Sequence, residues 1–194
     1  MPAPLPQSLR SDARDNRDRI LTAARAIFAA AGLDVPLREI ARRAGVGPAT
    51  LYRHFPTKQA LVTEAFAEQM HACHAVIEEG LAAPDPWQGL CAAITSLCEL
   101  HARDWGFAMA FASAFPHAAE LAAARSRSVA ALAGLALRAR RSGRMRADVT
   151  VDDLILMLAA NTGLRATSPE ARVAASRRFA ELTIRALSGP SGML

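Results

Sequence analysis

The stretch Val35 to Lys58, VPLREIARRAGVGPATLYRHFPTK, constrains this chain more than any other. Leu37, Ile40, Ala41 and Ala44 fall at i, i+3, i+4 and i+7, which predicts a short amphipathic helix with Pro36 in its first turn. Gly45 stops that helix, and Gly45-Val46-Gly47 supplies a tight turn with one apolar side chain to tuck inward. Pro48 then opens a second short helix whose Leu51 and Phe55 face the core. Ala49, Thr50, Tyr52, Arg53 and His54 are thereby turned away from that stripe, toward a partner. Slim residues at the start of a helix, followed by hydroxyl, imidazole and cationic groups, suit a recognition helix in a DNA major groove.

A helical hairpin of this kind also occurs as a plain packing element, and charge decides between the two readings. Residues 1 to 60 hold 10 Lys/Arg against 5 Asp/Glu, while residues 61 to 194 hold 13 against 13. The whole net charge of +5 therefore belongs to the part carrying the motif, as expected of a nucleic-acid footprint joined to a neutral second module. A helical adaptor that binds only proteins accounts for the helices but not for this segregation.

These residues resemble the N-terminal signature of the TetR family of bacterial transcriptional regulators. The resemblance runs from about Arg19 to Leu61, through ILTAARAIFAAAG and LREIARRAGVGPATLYRHFPTKQAL, and Tyr52-x-His54-Phe55 followed by Lys58 is its most specific part. It implies an all-α protein with a three-helix DNA-binding head and a C-terminal helical bundle for ligand sensing and dimerisation. It also implies that Arg38 contacts a base or phosphate, that Pro48, Ala49 and Thr50 approach the groove floor, and that Tyr52, His54 and Lys58 meet phosphates, with Gly47 included in the DNA-binding set. Arg53 is a further candidate. Two positions depart from the family pattern: Pro36 stands where a phosphate-touching Thr is frequent, and Gly47 where Ser or another polar residue is frequent. Most members of the family repress transcription and leave DNA when a small molecule binds.

In chain order, residues 1–14 are Pro-rich and then basic, and are expected as a flexible arm from which Arg10 and Arg14, with Arg17 just beyond, could track a DNA backbone or minor groove. Residues 15–60 form the expected head and 61–194 the body. A first helix is expected from about Asn16 to Ala31, stopped by Gly32. Thr57 caps a long helix from Lys58 to about Gly80, and the Lys at its first turn opposes the helix dipole unless an anion such as a phosphate neutralises both. Beyond it, Asp85 caps a helix to Arg103, and Phe107, Phe111 and Phe115 recur at i, i+4 and i+8. Another helix spans about His117 to Arg141, Thr150 with Asp153 reads as a capping box, and Ser168-Pro169 starts a last helix to Leu187.

Three Cys without paired spacing fit a reducing compartment, and the longest uncharged run, Trp105 to Ala119, is too short to span a bilayer, so a cytoplasmic protein without membrane association is expected. No GxGxxG, GxxxxGK or GxSxG occurs, and no catalytic constellation or cofactor is implied. His71, Cys73 and His74 with Cys91, Cys98 and His101 have helical spacing that two helices could bring together, but no CxxC or HExxH; the expectation is packing, not a metal.

In the body, large rings and sulfurs stand among many alanines, which suits either a core or a cavity for a mostly apolar effector. The expected cavity residues are Met70, His74, Trp87, Cys98, Trp105, Phe107 and Phe111. Leu154, Met157, Leu158, Phe179, Leu182 and Ala186 on the last two helices are the expected homodimer seam, which would pair two heads over a double-stranded, palindromic operator.

Overall fold

The computed structural model describes residues 7–104, 106–108 and 119–189; of residues 7–11, 119 and 121 only the backbone is described. Trp105, Phe111, Phe115 and His117 lie outside the described residues. Nine helices are named here: α1 Gln7–Ala31, α2 Leu37–Ala44, α3 Pro48–His54, α4 Lys58–Ala65, α5 Ala67–Ala82, α6 Pro86–Arg103, α7 Ala119–Arg141, α8 Val151–Thr162 and α9 Pro169–Leu187. The fold is all-α, as expected, with one isolated antiparallel bridge between Met145 and Ser188.

Helix starts fall where the sequence places cap residues. Thr57 Oγ1 accepts the Ala60 N–H at 3.1 Å, and Asp85 Oδ1 accepts those of Trp87 and Gln88 at 2.8 and 3.2 Å. Thr150 and Asp153 form a reciprocal capping box, and Ser168 Oγ accepts the Ala171 N–H. Each satisfies backbone donors that a helix start leaves without intrahelical partners.

Two expected boundaries move. α1 begins at Gln7, so residues 7–14 continue the first helix instead of forming an arm; nothing between Pro6 and Gly32 breaks a helix. The long helix from Lys58 is interrupted at Phe66. Before the break, Leu61, Val62 and Ala65 are buried on the α1 side; after it, Met70, Cys73 and Ile77 are buried where α5 meets α6 and α7. The change of buried face is absorbed at Phe66, whose fully buried ring lies 6.0 Å from Phe28 and 5.7 Å from Phe107. Arg25 Nε donates to the Ala65 carbonyl at 2.7 Å, supplying the partner that an interrupted helix end requires.

The head packs Ile20, Ala24 and Phe28 of α1 against Ile40 and Ala41 of α2, Leu51 of α3 and Leu61 of α4, all essentially inaccessible. In the body α6 is central: Trp87, Leu90, Ala93, Ile94, Leu97 and Cys98 are buried, and it touches α5, α7, α8 and α9. The α5–α6 crossing is close enough that a Cβ on Gly89 would lie 2.3 Å from the Gly80 carbonyl oxygen. Glu99 of α6 takes a bidentate Arg177 from α9 at 2.6 and 3.2 Å, and Asn161 Nδ2 of α8 donates to the Cys98 carbonyl at 3.0 Å.

Candidate nucleic-acid interface

The turn between α2 and α3 is fixed by its backbone. Gly45 sits at φ 64°, ψ 36°, and the N–H groups of Gly45 and Val46 bond the Arg42 and Ala41 carbonyls, closing the end of α2. Arg19 of α1 donates to the Gly45 carbonyl at 3.1 Å, tying the turn to the bracing helix. Gly47 is the N-cap of α3 in extended conformation with open space around its Cα, so neither sterics nor backbone angle demands glycine there.

This geometry sorts α3 into two faces. Leu51, with Phe55 just beyond the helix, is fully buried, while Pro48, Ala49, Tyr52 and Arg53 are exposed and Thr50 is half-exposed. Tyr52 keeps 52% of its surface accessible, which for an aromatic residue marks a contact surface more than a packing one. Arg38 is exposed at the start of α2, and the half-exposed Lys58 opens α4. Arg42 and Arg43 add cations to the last turn of α2, Arg42 being held by Glu39 at 2.5 and 3.0 Å. Pro36 is the N-cap of α2 and offers no side-chain cap.

Two sequence expectations change at this surface. His54 turns Nε2 inward, where it has no hydrogen-bond partner among the described residues, so that atom is withheld from a phosphate. Burial first, then Arg53 and Arg17, hold its pKa below the ordinary histidine value. Arg17 is also not a reaching arm residue: it pairs with Glu64 of α4 and stacks over Phe55 at 5.0 Å from the ring centroid. Arg14 is exposed, and the side chain of Arg10 lies outside the described residues. The structural roles of Arg19 and Arg25 had no local signature, since each binds a carbonyl 26 or 40 positions away.

Residues 20–65, the segment just described, match the family of bacterial regulatory proteins named tetR, and residues 85–188 match the C-terminal domain of SbtR-like transcriptional regulators. The chain belongs to the TetR family. It is a DNA-binding transcriptional regulator. The TetR transcription regulatory protein from Mycobacterium vanbaalenii is 34% identical over 93% of this chain and 99% of that one, with a TM-score of 0.52. The ketosteroid transcriptional regulator KstR2 of Mycobacterium tuberculosis, 18% identical, shares the fold over 89% of this chain and 94% of its own, with a TM-score of 0.73. Among curated relatives, the transcriptional repressor KstR of Mycolicibacterium smegmatis is 38% identical over 79 residues, 40% of this chain and 39% of that protein. TtgW of Pseudomonas putida, an HTH-type transcriptional regulator, is 31% identical over 43% of this chain and 63% of its own length. The chain thus spans under two thirds of these two curated relatives.

The body of this TetR-family regulator holds a cavity of about 100 Å³ among α5, α6, α7 and α8. Its wall is mainly apolar, from Ile77, Leu97, Leu132 and Leu158 among others, with His101, Arg125, Ser128 and Thr162 as the polar contributors. Burial pushes the His101 pKa down to about 4, against a hydrogen bond with the Leu158 backbone that favours protonation, so the ring is neutral at pH 7.

The expected cavity residues are redistributed. Trp87 and Cys98 are buried core residues outside this wall. Met70 and His74 line a separate hollow between α5 and α7, which meets the first at Ser128. Phe107 is buried between Phe66 and His101, 6.2 Å from the imidazole centroid. The residues that do form the wall carry no aromatic signal in the sequence.

The seam expected on α8 and α9 is also redistributed. Leu154 is 2% exposed because its side of α8 packs into the body, and Leu158 faces the cavity. Leu156, not among the expected residues, is 68% exposed and Leu182 49%, with Ala186 exposed and Met157 and Phe179 half-buried. No group of three or more His, Cys, Asp or Glu among the described residues is placed to hold a metal. Burial raises Cys73 and Cys98 to about 12 and Cys91 to about 11, so all three are neutral thiols at pH 7. No helix among the described residues is long and apolar enough to cross a membrane.

Proposed function

We propose that this regulator is a homodimeric repressor that binds a palindromic operator and leaves it when a mostly apolar small molecule enters the α5–α8 cavity. The observation that carries the reading is the exposed face of α3: Ala49, Thr50, Tyr52 and Arg53 stand clear of the core, flanked by Arg38 and Lys58. Repression is favoured by the likeness of 79 residues of this chain to KstR, a named repressor. Dimerisation is supported by Leu156 and Leu182, large apolar side chains left in water on α8 and α9. The effector reading rests on the mainly apolar cavity among α5, α6, α7 and α8.

The test is selection of bound sequences from random duplex DNA, followed by affinity measurement on the consensus. An inverted repeat is expected, with half-sites about one helical turn or more apart. Enrichment of single, unpaired sites would refute the dimeric reading. Transcription from a reporter carrying the consensus should fall when the protein is present; a rise would make it an activator.

A further inference from the structure

The α5–α8 cavity has a neighbour. Ser128 of α7 belongs both to its wall and to that of the hollow between α5 and α7, so the two spaces, of about 100 and about 150 Å³, meet at that side chain. They follow one another along the same pair of helices: Ile77 and Leu132 line the inner end, Ala67 and Glu120 the outer. At 1.5 Å of rise per residue, Ala67 to Ile77 covers about 15 Å of α5, so the joint space is long and narrow. Ser128, at the junction, is 4% exposed, and its Oγ has no hydrogen-bond partner among the described residues. Ser126 on the same helix, Ser142 and Ser188 each return the hydroxyl to a backbone carbonyl three or four residues back. Ser128 does not, and a buried hydroxyl left unpaired costs free energy that an occupant bearing an acceptor recovers.

The two ends differ in chemistry. The inner wall is Ile77, Leu97, Leu132 and Leu158, and its His101, Arg125 and Thr162 already have interactions within the protein. The outer hollow presents hydroxyl and imidazole groups from Thr63, His71 and His74, with Glu120 and Arg127, opposite in sign, on its α7 wall. We infer that cavity and hollow act as one site for an elongated, uncharged amphiphile, with an apolar tail inside, a carbonyl at Ser128 and a hydroxylated head among Thr63, His71 and His74. By comparison with an engineered cavity of roughly 150 Å³ that accepts benzene, the two spaces together take roughly ten non-hydrogen atoms. The inference rests on the proposed ligand-sensing role of the body and specifies the chemistry and reach of the effector. Thr63 belongs to α4, the helix opened by Lys58, so an occupant that fills the hollow touches that helix while one confined to the inner cavity does not.

N-pentanoylethanolamine is to be titrated calorimetrically into the full-length protein. Its controls are pentanamide, which lacks the head, N-acetylethanolamine, which lacks the tail, and N-pentanoylglycine and N-pentanoylethylenediamine, whose heads are anionic and cationic. The neutral amphiphile should bind roughly tenfold or more tighter than either truncated compound, and several-fold tighter than either charged one. Ser128→Ala should weaken it several-fold. Ala124→Leu, which narrows the outer hollow with another good helix former, should weaken it roughly tenfold and leave pentanamide unchanged. Should either variant not fold by circular dichroism, the ligand series on the unmodified protein decides alone. Truncated or charged compounds that bind as well or better, no binding of N-pentanoylethanolamine at millimolar concentration, or an affinity indifferent to a folded Ser128→Ala or Ala124→Leu would each overturn the inference. Operator affinity measured alongside separates the two readings. Binding in the expected order with operator affinity unchanged upholds the joint site while refuting ligand-controlled release. Release by the truncated compounds as readily as by the long one does the reverse.

Discussion

The short helical segment at Gly106 presses on the bracing helix of the head, and replacing that glycine tests how rigidly head and body are joined. A Cβ at Gly106 would lie 2.5 Å from the Ala29 Cβ, 2.8 Å from its Cα and 3.1 Å from its amide nitrogen. The last two atoms are backbone and cannot rotate away, so Gly106→Ala must push α1 and the body apart. Overpacking of this kind costs about 1–3 kcal/mol, while alanine in the first turn of a segment capped by Asp104 returns only a few tenths of a kcal/mol of helix propensity, leaving roughly 1–2.5 kcal/mol of net destabilisation. Ala29→Gly alone, in the last turn of α1, should cost at most about 0.5–1 kcal/mol. In combination it removes the tightest contact, so the double variant should be more stable than the sum of the two predicts, by roughly 1 kcal/mol. Urea denaturation followed by circular dichroism gives the four stabilities. Operator affinity at a temperature where every variant is folded should fall for Gly106→Ala and recover partly in the double variant. A neutral or stabilised Gly106→Ala, or strict additivity, would show that the two segments do not approach as closely as a 2.5 Å Cβ clash requires.

Four further outcomes follow from the same structure. Lys58→Ala should weaken all duplexes alike and lower the slope of log affinity against log salt by roughly one unit, whereas Arg38→Ala should cost about 1–3 kcal/mol at the cognate site alone if Arg38 reads a base, both measured by fluorescence anisotropy. Gly47→Ser supplies the missing side-chain cap of α3 and should raise thermal stability by a few tenths of a kcal/mol without loss of operator affinity. Leu156→Glu with Leu182→Glu should give monomers by light scattering with folded-state circular dichroism retained; dimers would place the interface elsewhere. Finally, His101 has a folded pKa near 4, below the ordinary 6.5, so the unfolded chain takes up the proton first. Stability from this group is complete above about pH 6.5 and is lost progressively toward pH 4, by about 3 kcal/mol in all, and His101→Leu should flatten urea midpoints over that window.

The head was legible because its signals are local. A glycine at a left-handed position, proline at the start of α3 and apolar residues at helical spacing each act within a few residues, and Thr57, Asp85, Thr150 and Ser168 cap by the same short-range logic. The break at Phe66 carries no glycine or proline; it arises because consecutive turns bury different faces against α1 and then against α6 and α7, which only the assembled fold dictates. The cavity wall was hidden for a related reason. Aromatic rings such as Trp87 and Phe107 filled the core, leaving the unoccupied space to medium-sized side chains, Leu97, Leu132 and Leu158, that are indistinguishable in sequence from core residues. Leu154 and Leu156 sit two positions apart on one apolar helix, and which of them faces water depends on how α8 is rotated against α6.

The contact of Gly80 with Gly89 makes the crossing of α5 and α6 a fulcrum. Backbone meets backbone there, so the two helices cannot approach further, and an occupant on one side of the crossing would open them at an angle about it. Cys73 and Ile77 on α5 lie on the same side of that point as the start of the helix at Ala67. At 1.5 Å of rise per residue, Cys73 is about 10 Å from the fulcrum and Ala67 about 20 Å. Each ångström by which an occupant wedges α5 away from α6 at Cys73 therefore becomes roughly two at Ala67, one residue beyond the Phe66 break, where α4 carries Lys58 toward the DNA surface. If an occupant of the cavity acts on the head as proposed, the arm ratio of this single helix would set the gain between them, and moving the glycine contact by one turn along α5 would change that gain without altering either site.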